Sequence, residues 1–221
     1  MADYKYRALN PRNDDDINRY FKLVCGLSDF CNDNKSVDQN MIKWARVHMG
    51  AVELVNPVYK NKPLPPLDEN ADEFVFICED NGGFIGYVEI CSYHIIDGKR
   101  PNDDIGILHE IFVLDKYRNG TIAYTLLQMA IDKLIEKGKN RAICNVQEDN
   151  PNRFLHFAMA NNNVIKEQEC TRKDGTKTTD YTLLIDLHNL KNMSLMELAK
   201  KAAHIKKTRT SIRIEEEFTK E

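Results

Sequence analysis

The chain lacks the paired Cys and His spacings that mark a metal site or a redox disulfide. Its six cysteines, Cys25, Cys31, Cys78, Cys91, Cys144 and Cys170, include no C-x-x-C pair, and its six histidines include none at helical ligand spacing. Neither a zinc site nor a disulfide framework is therefore expected, and no metal is assigned. Cys78, Cys91 and Cys144 lie in apolar, strand-like surroundings, where a reduced thiol packs as a small hydrophobe. No apolar run approaches the length that spans a bilayer, and Met1-Ala2-Asp3-Tyr4-Lys5 does not read as a secretory signal. A soluble, cytoplasmic protein without membrane contact is the expectation. Charge of one sign is also missing: 31 basic residues stand against 34 acidic ones, which gives no general polyanion-binding signature. There is no internal repeat, no P-loop ending in Gly-Lys-Ser/Thr and no three-glycine dinucleotide fingerprint.

What the chain does have is concentrated between Leu108 and Lys137. An apolar run from Ile107 to Leu114, interrupted only by His109 and Glu110, reads as a buried strand with two functional groups set into it. A polar break follows at Asp115-Lys116-Tyr117-Arg118-Asn119-Gly120-Thr121. Beyond it, Ile122, Leu126, Leu127, Ala130, Ile131, Leu134 and Ile135 recur at three- and four-residue steps, an amphipathic helix closed by Gly138. A strand, a tight polar turn and a helix in that order aim a row of unpaired N–H groups at one point, where an anion such as a phosphate can sit.

This segment resembles the acyl-CoA loop of the GNAT superfamily of N-acetyltransferases, an apolar strand ending in Val-x-Pro-x-Tyr-Arg, then x-x-Gly-x-Gly/Ala and a helix. Here the strand end is Val113-Leu114-Asp115-Lys116-Tyr117-Arg118, with Arg118 and Ala123 at the family's Arg and terminal Gly/Ala positions. Gly120 precedes the place of the middle glycine, which Thr121 fills. A second segment strengthens the resemblance. Arg141 to Val146 is a strand candidate, and the Asn-x-x-Ala-x-x-Phe-Tyr that follows in the family is matched by Asn150, with Arg153, His156 and Phe157 at the Ala, Phe and Tyr positions. The two segments cover about a quarter of the chain and mark a divergent member.

The remaining elements fall into the family's order. Residues 4–9 read as a first strand, and Asn10 to Asp16 supply caps for a helix bearing Ile17, Tyr20, Phe21, Val24 and Cys25. A second helix runs from Val37 to about Met49; the resemblance would let Trp44 and Tyr59 face the acceptor, but the spacing of Trp44 to Met41, Val47 and His48 favours a core residue. Residues 56–73 hold four prolines and read as a loop. Phe74 to Cys78 and Gly86 to Tyr93 form a hairpin around an Asn-Gly turn, Gly86 matching the family's strand glycine. Val164 to Cys170 and Tyr181 to Leu187 are the last two strands, antiparallel. Ser194 and Glu197 make a capping box for a helix rich in Lys and Arg, before Glu215-Glu216-Glu217 reverses the sign. The expected architecture is α/β of the α+β kind: a mixed, mostly antiparallel twisted sheet, flanked by helices, with central splayed parallel strands ending at Val113 and Val146. Residues 1–190 would form the acyltransferase domain and 191–221 a C-terminal basic helix and charged tail.

The resemblance implies an acetyl-CoA-dependent N-acetyltransferase acting on a primary amine of a small molecule, peptide or protein. Acetyl-CoA would be the co-substrate. Its diphosphate would rest on the N–H groups of Asn119, Gly120, Thr121, Ile122 and Ala123, with Arg118 adding charge. Its pantetheine arm would pair with the backbone of Ile111, Phe112 and Val113, Asn150 and Phe157 standing nearby, and the Val113 N–H would face the oxyanion. Glu110 is the candidate general base, on the strand face of Phe112, half-buried so that its pKa rises toward neutrality, with His109 on the opposite face. Phe157 has no proton to donate where the family has a Tyr, and His156 or Tyr124 are substitutes. The alternative is a weakly active or inactive CoA-binding or partner-binding module of the same shape. Nucleic-acid binding is disfavoured, because no aromatic residues interleave with the basic helix. A homodimer is left open.

Overall fold

The computed structural model describes residues 4–25, 39–51, 71–93, 103–118, 121–147, 164–171, 175–194 and residue 197. Seven strands make one sheet in the order β1-β2-β3-β4-β5-β7-β6. They are β1 (Lys5–Ala8), β2 (Glu73–Asp80), β3 (Gly83–Cys91), β4 (Ile105–Val113), β5 (Arg141–Gln147), β6 (Val164–Thr171) and β7 (Lys177–Asp186). Every neighbouring pair is antiparallel except β4 and β5. Four α-helices accompany the sheet among the described residues: α1 (Asp14–Cys25), α2 (Gln39–His48), α3 (Thr121–Glu136) and α4 (Leu187–Lys191). The expected mixed sheet with a central parallel pair is the fold found.

Two cores lie on the two faces of the sheet. α3 covers one face: Ile122, Leu126, Leu127, Ala130, Ile131 and Leu134, the stripe read from the sequence, are all buried there with Val88, Ile90, Leu108, Val113, Ala142 and Cys144. Gly138 ends the helix with φ 75°, the left-handed value a glycine takes without a Cβ clash. α1 and α2 cover the other face, burying Ile17, Tyr20, Phe21, Ile42, Ala45 and Met49 against Val75, Ile77 and Tyr87. In α2 the buried stripe is thus Ile42, Ala45 and Met49, and Trp44 is 54% exposed, stacked on His48 with ring centroids 4.3 Å apart. The expectation of a core tryptophan is corrected: two stripes out of phase by one residue fit the same helix, and the packing surface chose the smaller side chains.

The β2–β3 hairpin turns at Asn81 and Gly82 with φ of 48° and 76°, the pair of positive values that a tight two-residue turn requires. Arg7 of β1 then ties α1 to the sheet, donating to both Asp16 oxygens at 2.5 and 2.8 Å and to Glu79. Asp16 is only 3% exposed, and the guanidinium beside it holds its carboxyl below the ordinary range. The sequence assigned Asp16 to the helix N-terminus, where Asn13 caps with its side chain; its larger task is to anchor that helix. β7 begins at Lys177, four residues ahead of its expected start at Tyr181, and α4 adds a short helix capped by Asp186 that was not anticipated. The Ser194–Glu197 capping box is present, each side chain accepting from the other's backbone N–H. The basic segment beyond it lies outside the described residues.

Gly86 of β3 sits where β4 leaves no room for a side chain. A Cβ there would stand 2.8 Å from the Phe112 carbonyl oxygen and 3.2 Å from Val113 Cγ2. Gly86→Ala is expected to destabilise the fold by about 1–3 kcal/mol, measured by denaturant unfolding. For Asp16→Asn the expected loss at neutral pH is about 1–3 kcal/mol, because the buried Arg7 contact weakens. Since the folded carboxyl titrates below its unfolded value, that contribution is present above pH ~4 and vanishes as pH falls through the folded value, so wild type and variant should converge in acid.

Candidate active site

The parallel strands β4 and β5 stay together for only three pairs, Ile105 with Arg141, Gly106 with Ala142 and Ile107 with Ile143. After these the ladder stops, although β4 continues to Val113 beside β3 and β5 to Gln147 beside β7. The sheet therefore opens at the carboxyl ends of two parallel neighbours, the place where ligands enter α/β sheets.

Which backbone groups line that opening follows from the β3–β4 ladder. Residues opposite each other in an antiparallel pair either exchange both hydrogen bonds or turn both groups away. Leu114 N–H donates to the Ile85 carbonyl at 2.9 Å, one residue outside the Val113–Gly86 pair. That bond makes Val113–Gly86 a pair of the second kind. The N–H and C=O of Val113 point away from β3, toward the side β5 has left, and two residues back those of Ile111 do the same. Those of Phe112 face Tyr87 of β3 instead. Of the three residues expected to pair with the donor's arm, Ile111 and Val113 offer their backbones to the opening and Phe112 does not.

Arg118 sits differently from its expected role. Its Nε donates to the Val113 carbonyl at 2.8 Å, its Nη2 pairs with Asp115 at 2.9 Å, and its guanidinium lies 5.6 Å from the Phe112 ring centroid. It fastens the strand end, and among the described residues the Val113 N–H has no hydrogen-bond partner. The polar break contains a short 3₁₀ turn, Asp115–Tyr117, held to the sheet by the Tyr117 hydroxyl on Asp80 at 2.8 Å. Thr121, Ile122 and Ala123 form the first turn of α3, Thr121 exposed and Ile122 wholly buried in the core beneath it. Asn119, Gly120, Asn150 and Phe157 lie outside the described residues, as does His156. Tyr124 is committed elsewhere: its hydroxyl donates to the Met193 carbonyl at 2.9 Å and ties α3 to the end of α4.

On the α1 side of the opening, β4 carries an irregularity that the sequence did not reveal. Glu110 is opposite Glu89, but Leu108 is already opposite Ile90, so His109 is an extra residue, a β-bulge. Strict alternation fails there, and the argument that His109 must face away from Glu110 fails with it. Past the bulge Glu110 does share the face of Phe112, as expected. It is exposed, not half-buried, and accepts a 2.5 Å hydrogen bond from the Tyr87 hydroxyl. Tyr87 is fully buried, and burial followed by the Glu110 carboxylate raises its pKa, keeping the phenol a donor.

Three more residues of this face escaped the sequence reading. Glu89 accepts from the Tyr20 hydroxyl at 2.6 Å, and the Tyr20 and Tyr87 rings meet edge to face at 5.3 Å. Glu73, at the start of β2, is 5% exposed; burial first, then Glu89 and Asp72, push its carboxyl up to about 7. Only the hairpin register brings Glu73, Glu89 and Glu110 together, and spacing along the chain gives no hint of it. On the other face, burial alone pushes the Cys144 thiol up to about 12, which marks it as an inert core residue.

Among the described residues no group of three or more His, Cys, Asp or Glu side chains is arranged to hold a metal ion, and no helix is long and apolar enough to cross a membrane. No curated protein matches the sequence. Solved structures match over most of the chain. The putative acetyltransferase yncA of Salmonella typhimurium, determined with its cofactor acetyl-CoA, is 15% identical, with 84% of this chain and 95% of that one covered and a TM-score of 0.55. A GNAT-family acetyltransferase of Streptococcus pneumoniae gives 16% identity, 83% and 99% coverage and a TM-score of 0.56. An N-acetyltransferase of Staphylococcus aureus Mu50 gives 14%, 84% and 99%, and 0.54. At such identities these likenesses speak for the fold. The sequence model of the acetyltransferase (GNAT) family matches residues 41–157, more than half of the chain and the whole span of the site, and the chain belongs to that family.

Proposed function

We propose that the chain is an acetyl-CoA-dependent N-acetyltransferase that acts on a primary amine, with residues 1–190 as the catalytic domain, 191–221 as an appended basic segment, and the cytoplasm as its place of action. The observation that carries this reading is the Val113 N–H, aimed into a sheet opening that ends at a helix N-terminus. The donor's arm has amide groups of its own and extends along β4, where Ile111 offers a donor and an acceptor. The first turn of α3, Thr121 to Ala123, supplies main-chain N–H groups for the diphosphate, Asn119 and Gly120 being assigned to it from the family pattern, and the α3 dipole adds roughly half a positive charge. Asn150 and Phe157 are assigned to the thiol end of the arm from the family pattern alone.

The amine approaches from the α1 side. Glu110 takes its proton, directly or through one water, and its exposure leaves it reachable by both. Tyr87 fixes the carboxylate's direction, so that the base is held in one pose before the acceptor arrives. As the nitrogen adds to the acyl carbon, charge develops on the acyl oxygen, and Val113 N–H is placed to receive it. Arg118 holds the Val113 carbonyl and the Leu114 N–H of the same peptide is bonded to Ile85, so the peptide that follows Val113 is fixed at both ends and the strand end is steadied. The sulfur leaves as thiolate, which needs less help than an alkoxide because a thiol is acidic near pH ~8.5.

Acetyl-CoA at about a hundred times its dissociation constant should stabilise the protein by about 2.7 kcal/mol in a thermal-shift titration. No stabilisation at any concentration would defeat the reading. Glu110→Gln should lower kcat/KM by about 10²- to 10⁴-fold and flatten its alkaline rise, while acetyl-CoA stabilisation survives. Wild-type rates across the pH range would remove Glu110 from the mechanism.

A further inference from the structure

The acceptor side of the opening carries more negative charge than proton removal needs. Glu89 and Glu110 stand directly opposite each other across β3 and β4. Such side chains have Cβ atoms about 4.5–5.5 Å apart, and like charges placed so destabilise a sheet. Glu73 is the independent observation. It is opposite Cys91, hence diagonal to Glu89, on the face of Val75 and Ile77, 5% exposed and within the field of Glu89. No described side chain donates a hydrogen bond to it or pairs with it. A largely buried carboxyl that no described cation offsets is costly, and one lying in the field of Glu89 and Asp72 more so.

Among the described residues no cationic side chain pairs with the row. The arginines of the neighbouring elements are committed elsewhere, Arg7 to Asp16 and Glu79, Arg19 to Asp15 and Arg46 to Asp14. The only described donors to the row are the hydroxyls of Tyr20 and Tyr87, and the walls around them are the rings of Tyr20, Tyr87 and Phe112. Carboxylates spaced across three strands with aromatic rings between them suit a chain of methylenes with a cation at each end. A single ammonium is served by Glu110 alone, and Glu89 with Glu73 remains for a second.

Resting on the reading above, we propose that the acceptor is a short alkyl di- or polyamine, its reacting nitrogen at Glu110 and its second ammonium between Glu89 and Glu73. An amino acid is a poorer fit, because its carboxylate would enter the same row. A neutral amine leaves two carboxyls unanswered.

The test is thiol release from acetyl-CoA with n-butylamine, 4-amino-1-butanol, 1,4-diaminobutane, 1,5-diaminopentane and a Lys-containing tripeptide as acceptors. In the wild type a diamine should exceed its monoamine counterpart in kcat/KM by about ten- to a hundredfold, the worth of a charged hydrogen bond. That ratio should fall toward one in Glu89→Gln and in Glu73→Gln, and unfolding temperatures would verify that both variants fold. Equal kcat/KM for diamine and monoamine overturns the inference and leaves the N-acetyltransferase reading intact, as does a preference for the tripeptide over every diamine. Failure of all amines to release thiol defeats that reading instead. Titration calorimetry of 1,4-diaminobutane into the CoA-saturated protein then decides the inference separately: binding that is lost in Glu89→Gln supports it, and absence of binding to the wild type overturns it.

Discussion

The parting of β4 from β5 after Ile107 and Ile143 is the constraint on which the rest of the molecule turns. A strand that ends its pairing inside a sheet leaves polar backbone groups facing no partner, and in a folded interior these are normally satisfied. The fold accepts this at Ile111 and Val113 because everything else about β4 is over-determined. β3 pairs with it along its length, α3 covers its apolar face, Gly86 lets the two strands close to contact, and Arg118 clamps its last carbonyl. An edge held that rigidly, with amides directed outward, can accept an extended ligand as if it were another strand.

The scaffold of this arrangement was legible in the sequence because it depends on periodicity. The stripe Ile122 to Leu134 announces α3 and its buried face, and the apolar run before it announces a central strand. Asn81-Gly82 states its own turn through φ values that few residues tolerate. Where two periodic readings fitted equally, as for Trp44 in α2, sequence had no means of choosing, since only the tertiary surface decides which stripe turns inward. Arg118 shows a different limit. Its position beside the loop was evident, yet whether a guanidinium reaches outward or back onto its own strand depends on which carbonyl is left unpaired, and that is set by the ladder.

The bulge at His109 explains why the acceptor side was the least legible part. One extra residue shifts the parity of β4, so that Leu108 and Val113 both pack under α3 although they differ in parity along the chain. No propensity scale marks such a residue. It is the bulge that lets Glu110 turn toward Tyr87 and Glu89 while the segments on either side keep their apolar faces buried. Glu73 and Glu89 could not be recognised earlier, because each is an ordinary strand glutamate until the register sets them beside the third.

The row also has an energetic cost that bears on why it persists. An unfolded Glu73 ionises near 4.5, whereas in the fold its carboxyl is held up to about 7. Below the first value both states are protonated and the site is neutral in its effect. Between the two the unfolded chain gives up its proton and the native one does not, so stability declines as pH rises through that interval. A glutamine or leucine at this position would avoid that cost. A cation brought beside Glu73 and Glu89 reverses the sign, because it favours the ionised carboxyl that burial disfavours. On the proposed reading, an acceptor with a second positive charge would relieve that strain, and its binding energy would be drawn from the same groups that weaken the fold.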